Sequence, residues 1–151
     1  MQDFSQSLPM MMNRTLDSVL PEFRAVFKAF DLTEQQWRIL RVLWHEDGRT
    51  LGAISEQTLL PAPSLVGIID RMEDKALLKR IRSTSDRRTV RISTTAKGRR
   101  LEEKIQPLVD ECYARIAAGI KPREWKIMMN TLQQIIDNTN AKVANKTAVG
   151  K

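Results

Sequence analysis

Cysteine and histidine are nearly missing from this 151-residue chain: Cys112 and His45 stand alone. One cysteine excludes an internal disulfide, and with one histidine it cannot furnish a zinc site of the usual nitrogen and sulfur ligands. No apolar run approaches the roughly 18–20 residues that cross a bilayer. Residues 1–12 also lack the basic start and longer apolar stretch of a secretory signal. The expected location is therefore the cytoplasm, with no membrane partner. There is no nucleophile–base constellation, no glycine loop fit to cradle phosphate and no plausible metal set. The chain is thus not expected to be an enzyme or to carry a cofactor. Internal repeats and low-complexity linkers are absent as well.

What is present is ordinary in amount and unusual in placement. The chain is 42% hydrophobic and 28% charged, which suits one soluble domain spanning residues 1–151. The net charge is +7. Nine basic residues (Lys79, Arg80, Arg82, Arg87, Arg88, Arg91, Lys97, Arg99 and Arg100) fall between positions 79 and 100, with Asp86 the only acid among them. That segment carries +8 and everything else sums to −1. A solvated face would mix signs, and a membrane-surface segment would be an amphipathic helix. This one is neither, and it reads as a footprint for phosphate.

Apolar periodicity predicts a helix from Leu8 to Phe30, through Leu16, Val19, Leu20, Phe23, Val26 and Phe27. Pro9 suits its first turn, and Pro21 is expected to kink or divide it. Thr33 and Gln36 then form a capping box, and Leu32 can staple onto Trp37. The second helix carries Trp37, Ile39, Leu40, Val42, Leu43 and Trp44 and stops near Asp47-Gly48. Thr50 caps a short third helix, Leu59-Leu60-Pro61 makes a turn, and a fourth helix runs from about Ala62 to Lys75. Residues 78–82 and 89–93 read as strands around a loop at 83–88. Thr95 caps a long helix that Pro107 is expected to bend. Gly119 ends it, and Pro122 opens a last helix bearing Trp125, Met128, Met129, Leu132, Ile135 and Ile136. Residues 138–151 are polar and are expected to be a flexible tail.

The fold class is thus mainly α with a small β-hairpin wing: a winged helix-turn-helix over 32–94, flanked by helices at 8–30 and 95–137. A helix pair joined by a tight turn can present its second helix to the major groove, while the hairpin reaches phosphates or the minor groove. The flanking helices carry more apolar surface than a lone winged helix can bury. A second copy of the chain would cover it and set two reading helices about one DNA turn apart. The alternative is that they complete a monomeric core.

Residues 32–98 resemble the MarR family of winged-helix regulators. The likeness is carried by Leu32-Thr33-Glu34-Gln35-Gln36-Trp37-Arg38-Ile39-Leu40, by Pro63-Ser64-Leu65-Val66, by Asp70-Arg71-Met72-Glu73-Asp74-Lys75, by Asp86-Arg87-Arg88 and by Thr95-Ala96-Lys97-Gly98. The first half is similar to regulators of homoprotocatechuate and related aromatic-acid catabolism, and Pro63-Ser64-Leu65-Val66 also resembles the SlyA branch. The resemblance implies a transcriptional regulator, usually a repressor. It would bind a pseudo-palindrome in double-stranded DNA as a homodimer, and would control aromatic-compound catabolism or stress genes. A winged-helix module for protein or structured RNA is the alternative.

On the fourth helix, Leu65, Ile69 and Met72 should face the core, leaving Pro63, Ser64, Val66, Gly67 and Arg71 toward DNA. Ser64 can bond a phosphate or base edge, and Val66 can touch a thymine methyl. Arg71 serves either a phosphate or a nearby acid. Gly67 departs from the family pattern, in which a polar or basic side chain is common. By the resemblance, Arg88 enters the minor groove, Asp86 holds the wing tip, and Arg87 meets phosphate with help from Arg80, Arg82 or Arg91. A dimer neutralising about 6–10 phosphates would lose ~10³–10⁵ in affinity between 50 and 200 mM salt. The resemblance further implies a small phenolic or aromatic carboxylate effector, with Trp37, Arg14 and Arg38 the candidate ligand-binding residues. Trp37 is equally a core staple on this reading. Met10-Met11-Met12 reads as packing, and Cys112, on an apolar stripe, as an inert buried thiol rather than a redox sensor.

Overall fold

The computed structural model describes residues 3–82 and 89–148, with side chains through 140. After a single helical turn at Phe4–Gln6 come α1 (Leu8–Ala29), α2 (Glu34–His45), β1 (Arg49–Thr50), α3 (Leu51–Thr58) and α4 (Ala62–Asp74). They are followed by β2 (Leu78–Arg82), β3 (Val90–Thr94), α5 (Ala96–Ile116) and α6 (Pro122–Ala148). The architecture is mainly α with a small antiparallel sheet, as the periodicity predicts.

Three threonines start three of the helices. Thr33 and Gln36 close the capping box of α2, with Gln36 N donating to Thr33 Oγ1 at 3.2 Å and Thr33 N to Gln36 Oε1 at 3.1 Å. Thr50 Oγ1 accepts from Ala53 N at 3.3 Å to open α3, and Thr95 Oγ1 accepts from Gly98 N at 3.1 Å to open α5. Each side-chain oxygen satisfies a backbone donor that the helix itself leaves unpaired.

Both internal prolines sit within single helices. Pro21 does not divide α1, which runs from Leu8 to Ala29, and Pro107 lies inside α5. Pro21 and Asp17, whose carbonyl loses its donor, are both solvent-exposed. Water can therefore take the place of the missing hydrogen bond, and the helix continues.

The sheet has the order β1-β3-β2. β2 and β3 form the expected hairpin, with Arg80 opposite Ile92 and Arg82 opposite Val90. β1 was not expected: Arg49 and Thr50 pair with Ile92 and Arg91 and close the inner edge of β3. Gly48, at φ +71°, turns the chain from α2 into this strand.

Residues 1–112 form one compact unit and residues 113–151 a second. In the first, α1–α5 and β3 share a core that includes Phe27, Ile39, Leu40, Leu43, Ile54, Leu65, Ile69, Met72, Ile92, Ile105, Val109 and Cys112. The Cys112 thiol lies 3.6 Å from the Glu22 carbonyl oxygen, inside that core. Gly98 is needed there. A Cβ on it would stand 2.4 Å from the Leu77 carbonyl oxygen, while Trp44 Nε1 donates to the Gly98 carbonyl at 3.1 Å. The first turn of α5 therefore presses on the root of the wing through bare backbone.

In the second unit, α6 has no buried side chain among the described residues. Trp125, Leu132 and Ile135 are half-buried, and Ile127, Met128, Met129 and Ile136 are exposed. The helix runs on through Ala148, past Asn138 where the sequence reading ends it. Polar composition does not oppose a helix when alanine and lysine dominate, as at Ala141, Lys142, Ala144 and Lys146. Among the described residues, no helix is long and apolar enough to cross a membrane.

Candidate nucleic-acid interface

The helix pair α3–α4 is set by a turn at Leu59–Pro61. Leu59 adopts φ +57°, and Ser55 Oγ donates to the Leu60 carbonyl at 2.6 Å. Thr58 Oγ1 donates to the Ile54 carbonyl at 2.6 Å and accepts from Leu60 N at 3.4 Å. With its backbone tied down in this way, the turn fixes where α4 begins.

α4 buries Leu65, Ile68, Ile69 and Met72 against the core. Pro63, Ser64, Val66 and Arg71 are exposed on the other side, and Gly67 is half-buried. The first turn has no side-chain cap. Its positive helix end is therefore left to whatever approaches from outside, and an anion is favoured there. Arg71 has no acidic partner among the described residues. Its Nη1 lies 3.6 Å from where a Cβ on Gly67 would be, so the guanidinium folds back along the helix over the glycine.

The wing arginines divide into distinct groups. Arg80, counted in sequence among the phosphate contacts, is engaged within the protein. Its guanidinium pairs with Asp70 at 2.7 Å and with Glu73, and its backbone N–H donates to Glu73 Oε1 at 2.9 Å. It straps β2 to the exposed edge of α4. Arg82 is exposed and has no ion pair among the described residues. Arg91 is exposed and donates to the Gly48 carbonyl at 2.9 Å, a neutral acceptor, and it has no ion pair among the described residues. Asp86, Arg87 and Arg88 lie outside the described residues.

Asp47, read in sequence only as a helix stop, anchors the other side of the wing. Its Oδ1 accepts from Thr94 N at 2.8 Å and Thr94 Oγ1 at 3.3 Å, and its Oδ2 from Arg99 at 3.0 Å. The wing is thus held to α4 by Arg80 and to the end of α2 by Asp47.

A separate aromatic cluster lies between α1 and α2. Trp37 stacks on Phe27 at 4.7 Å between ring centroids and on Phe23 at 6.4 Å. Its Nε1–H is buried without a hydrogen-bond acceptor among the described residues, a costly state for a donor. Arg38 is bound to Glu34, with a 2.5 Å contact, and reaches the Thr58 carbonyl at 3.4 Å. Arg41 is the cation at the Trp37 ring, 5.9 Å from its centroid, and it also donates to Gln106 Oε1 at 2.9 Å. Arg14 is exposed nine residues before Phe23, about 13 Å up α1. Of the three residues named from sequence, only Trp37 belongs to this cluster. Arg41, four residues on and so on the same helix face, was missed.

Residues 32–90 match the sequence model of the MarR family. The chain is 29% identical over 136 residues to the homoprotocatechuate degradative operon repressor of Escherichia coli, a match covering 90% of this chain and 92% of that protein. Among solved structures it is similar to NadR in complex with 4-hydroxyphenylacetate. That match has 27% identity and a TM-score of 0.77, covering 89% of this chain and 96% of NadR. It is also similar to CouR of Rhodococcus jostii RHA1 bound to p-coumaroyl-CoA, with 26% identity and a TM-score of 0.81, covering 89% and 95% of the two chains.

Proposed function

We propose that this chain, whose residues 32–90 match the MarR family of transcriptional regulators, is a repressor that binds a pseudo-palindromic DNA operator as a homodimer and is released by a small aromatic acid. The observation that carries this reading is the pairing of an uncapped, exposed start of α4 with a strapped wing bearing Arg82 and Arg91, which have no ion pair among the described residues. On this reading Ser64 and Val66 meet base edges or phosphates from α4, and Arg71 takes a phosphate beside them. Arg82 and Arg91 hold the backbone, and Arg87 and Arg88 complete the grip at the wing tip, with Asp86 bracing it. Arg80 contributes by position rather than by contact.

The dimer follows from apolar surface. Ile127, Met128, Met129 and Ile136 on α6, and Leu8, Met11 and Leu16 on α1, are exposed in one copy. Covering them with the same surfaces of a second copy gives a twofold arrangement suited to two half-sites.

The effector site is the Trp37 cluster. A planar acid can stack against the indole and give its N–H an acceptor, and Arg41 supplies a cation for the carboxylate. Arg38 is held by Glu34, and Arg14 would have to come from the partner copy. The 4-hydroxyphenylacetate named for NadR supports an aromatic acid as the class, and the p-coumaroyl-CoA named for CouR, a thioester, shares its phenol but not its carboxylate. A ligand that favours one spacing of the half-sites shifts the dimer away from the other and so off the operator.

Selection from randomised duplex DNA, with and without a panel of aromatic acids, tests the whole reading. The expected result is an enriched inverted repeat whose affinity falls at least about tenfold with an effective acid, or about 1.4 kcal/mol. Arg41→Ala should keep the DNA affinity and lose the response. A purified chain that stays monomeric and ignores duplex DNA at low salt would overturn the proposal.

A further inference from the structure

A cleft of about 310 Å³ lies where the end of α1, the end of α4 and the first turns of α5 meet. Its lining divides by chemistry. Phe30, Leu77 and Leu101 give it an apolar floor, and Lys75, Lys97, Arg100 and Lys104 give it a cationic rim. The only acid among the lining residues is Asp31, whose carboxylate pairs with Lys75 at 2.7 Å. Lys97 Nζ donates to the Lys75 carbonyl at 2.8 Å, a neutral acceptor, and has no ion pair among the described residues. Arg100 and Lys104 have no ion pair among the described residues. Three cations at positions 97, 100 and 104 thus share one face of α5 by helical spacing.

Their place on the helix is informative. The first turn of α5 contains no acid, yet Lys97, Arg99 and Arg100 crowd into its start. Cations there are repelled by the positive end of the helix dipole, so local helix stability does not account for them. An anion in the cleft would relieve both the mutual repulsion and the dipole. The cleft is set apart from the start of α4, where the duplex is expected. Ser64 and Lys75 are eleven residues apart, about 16 Å along the helix axis.

We propose that this cleft binds a small amphipathic polyanion: an organic phosphate monoester whose planar or short apolar body rests on Phe30 and Leu101. Its phosphate meets Lys97, Arg100 and Lys104, and the Arg100 guanidinium can engage two oxygens at once. The volume sits at the lower end of the range typical of small-ligand sites, about 300–1,000 Å³, which suits a body of one or two rings. The residues are distinct from the Trp37–Arg41 cluster, so this is a second ligand site. An occupant would brace the end of α4 against α5, and so against the root of the wing. The proposal does not depend on the DNA reading.

Calorimetric titration of the full chain with 1-naphthyl phosphate, at about 50 mM salt, tests it, with inorganic phosphate and 1-naphthol as the part-ligands. Naphthyl phosphate should bind at least about tenfold more tightly than either part-ligand, because only it uses floor and rim together. The double variant Arg100→Gln/Lys104→Gln should lose about tenfold or more of that affinity, and Arg41→Ala should leave it unchanged. Both substituted residues are exposed, and unchanged thermal melts by circular dichroism will show that the fold is intact. Equal binding of inorganic phosphate would remove the apolar floor from the site. Undiminished binding to the double variant would remove the rim, and either result overturns the proposal. So would a double variant that loses non-specific duplex affinity while naphthyl phosphate never binds the parent protein, since the cations would then belong to the DNA backbone.

Discussion

At its start α4 has no side-chain cap and shows Pro63, Ser64 and Val66 to solvent. At its end Asp70 and Glu73 are strapped to Arg80, and Lys75 is bound to Asp31. Both halves rest on the same buried stripe of Leu65, Ile68, Ile69 and Met72. One helix therefore offers a free end and a fixed end, and under the proposed function the fixed end is what makes the free one useful. A reading surface can discriminate between base sequences only if its own position is determined by the rest of the protein.

The largest break in that arrangement comes from beneath. Met72 is fully buried at the fixed end, and Met72→Ala should cost about 2–5 kcal/mol through lost burial and the cavity left behind. Urea denaturation followed by circular dichroism measures it. A transition midpoint equal to that of the parent would mean that the back of α4 is not supported as described.

Much of this contrast was legible in sequence, and what escaped has physical reasons. The buried stripe of α4 follows from apolar spacing, and the starts of α2, α3 and α5 follow from Thr33, Thr50 and Thr95, because these signals are local. β1 escaped because two residues carry no periodicity, and their strand character comes wholly from pairing with Ile92 and Arg91. Arg80 was grouped with the other wing arginines because charge counts do not reveal partners. Its two acids lie on another element, and only folding brings them together. Arg41 was not named for a similar reason: its place at the Trp37 ring, like the hold of Glu34 on Arg38, comes from the fold and not from a sequence pattern.

A smaller perturbation sharpens the comparison within the wing. Arg82 and Arg80 lie two residues apart on β2, one without an ion pair among the described residues and the other strapped to α4. If Arg82 neutralises a phosphate, Arg82→Ala should reduce the slope of log affinity against log salt by about 1 for each protomer, uniformly across DNA sequences. Arg80→Ala should leave the slope unchanged and instead reduce discrimination between operator and random DNA, because it frees the wing and the end of α4 without removing a phosphate contact. Its cost in stability should stay below about 1 kcal/mol, since the pair is partly exposed. Fluorescence anisotropy at several salt concentrations separates the two variants, and identical salt slopes would dissolve the distinction.

The smallest expected effect is the most diagnostic of the free end. Gly67 lies in the middle of α4, where glycine costs roughly 0.5–1 kcal/mol relative to alanine. A Cβ there meets only the flexible Arg71 guanidinium, at 3.6 Å. Gly67→Ala should therefore stabilise the protein by about 0.5–1 kcal/mol. If the glycine is present so that α4 can approach DNA closely and Arg71 can fold over it, the same substitution should weaken operator binding even as the melting temperature rises. Opposite signs in the two measurements would show that local stability is given up at the reading end for access. A variant that gains stability and binds DNA as well as the parent would show that the bare position serves neither approach nor Arg71.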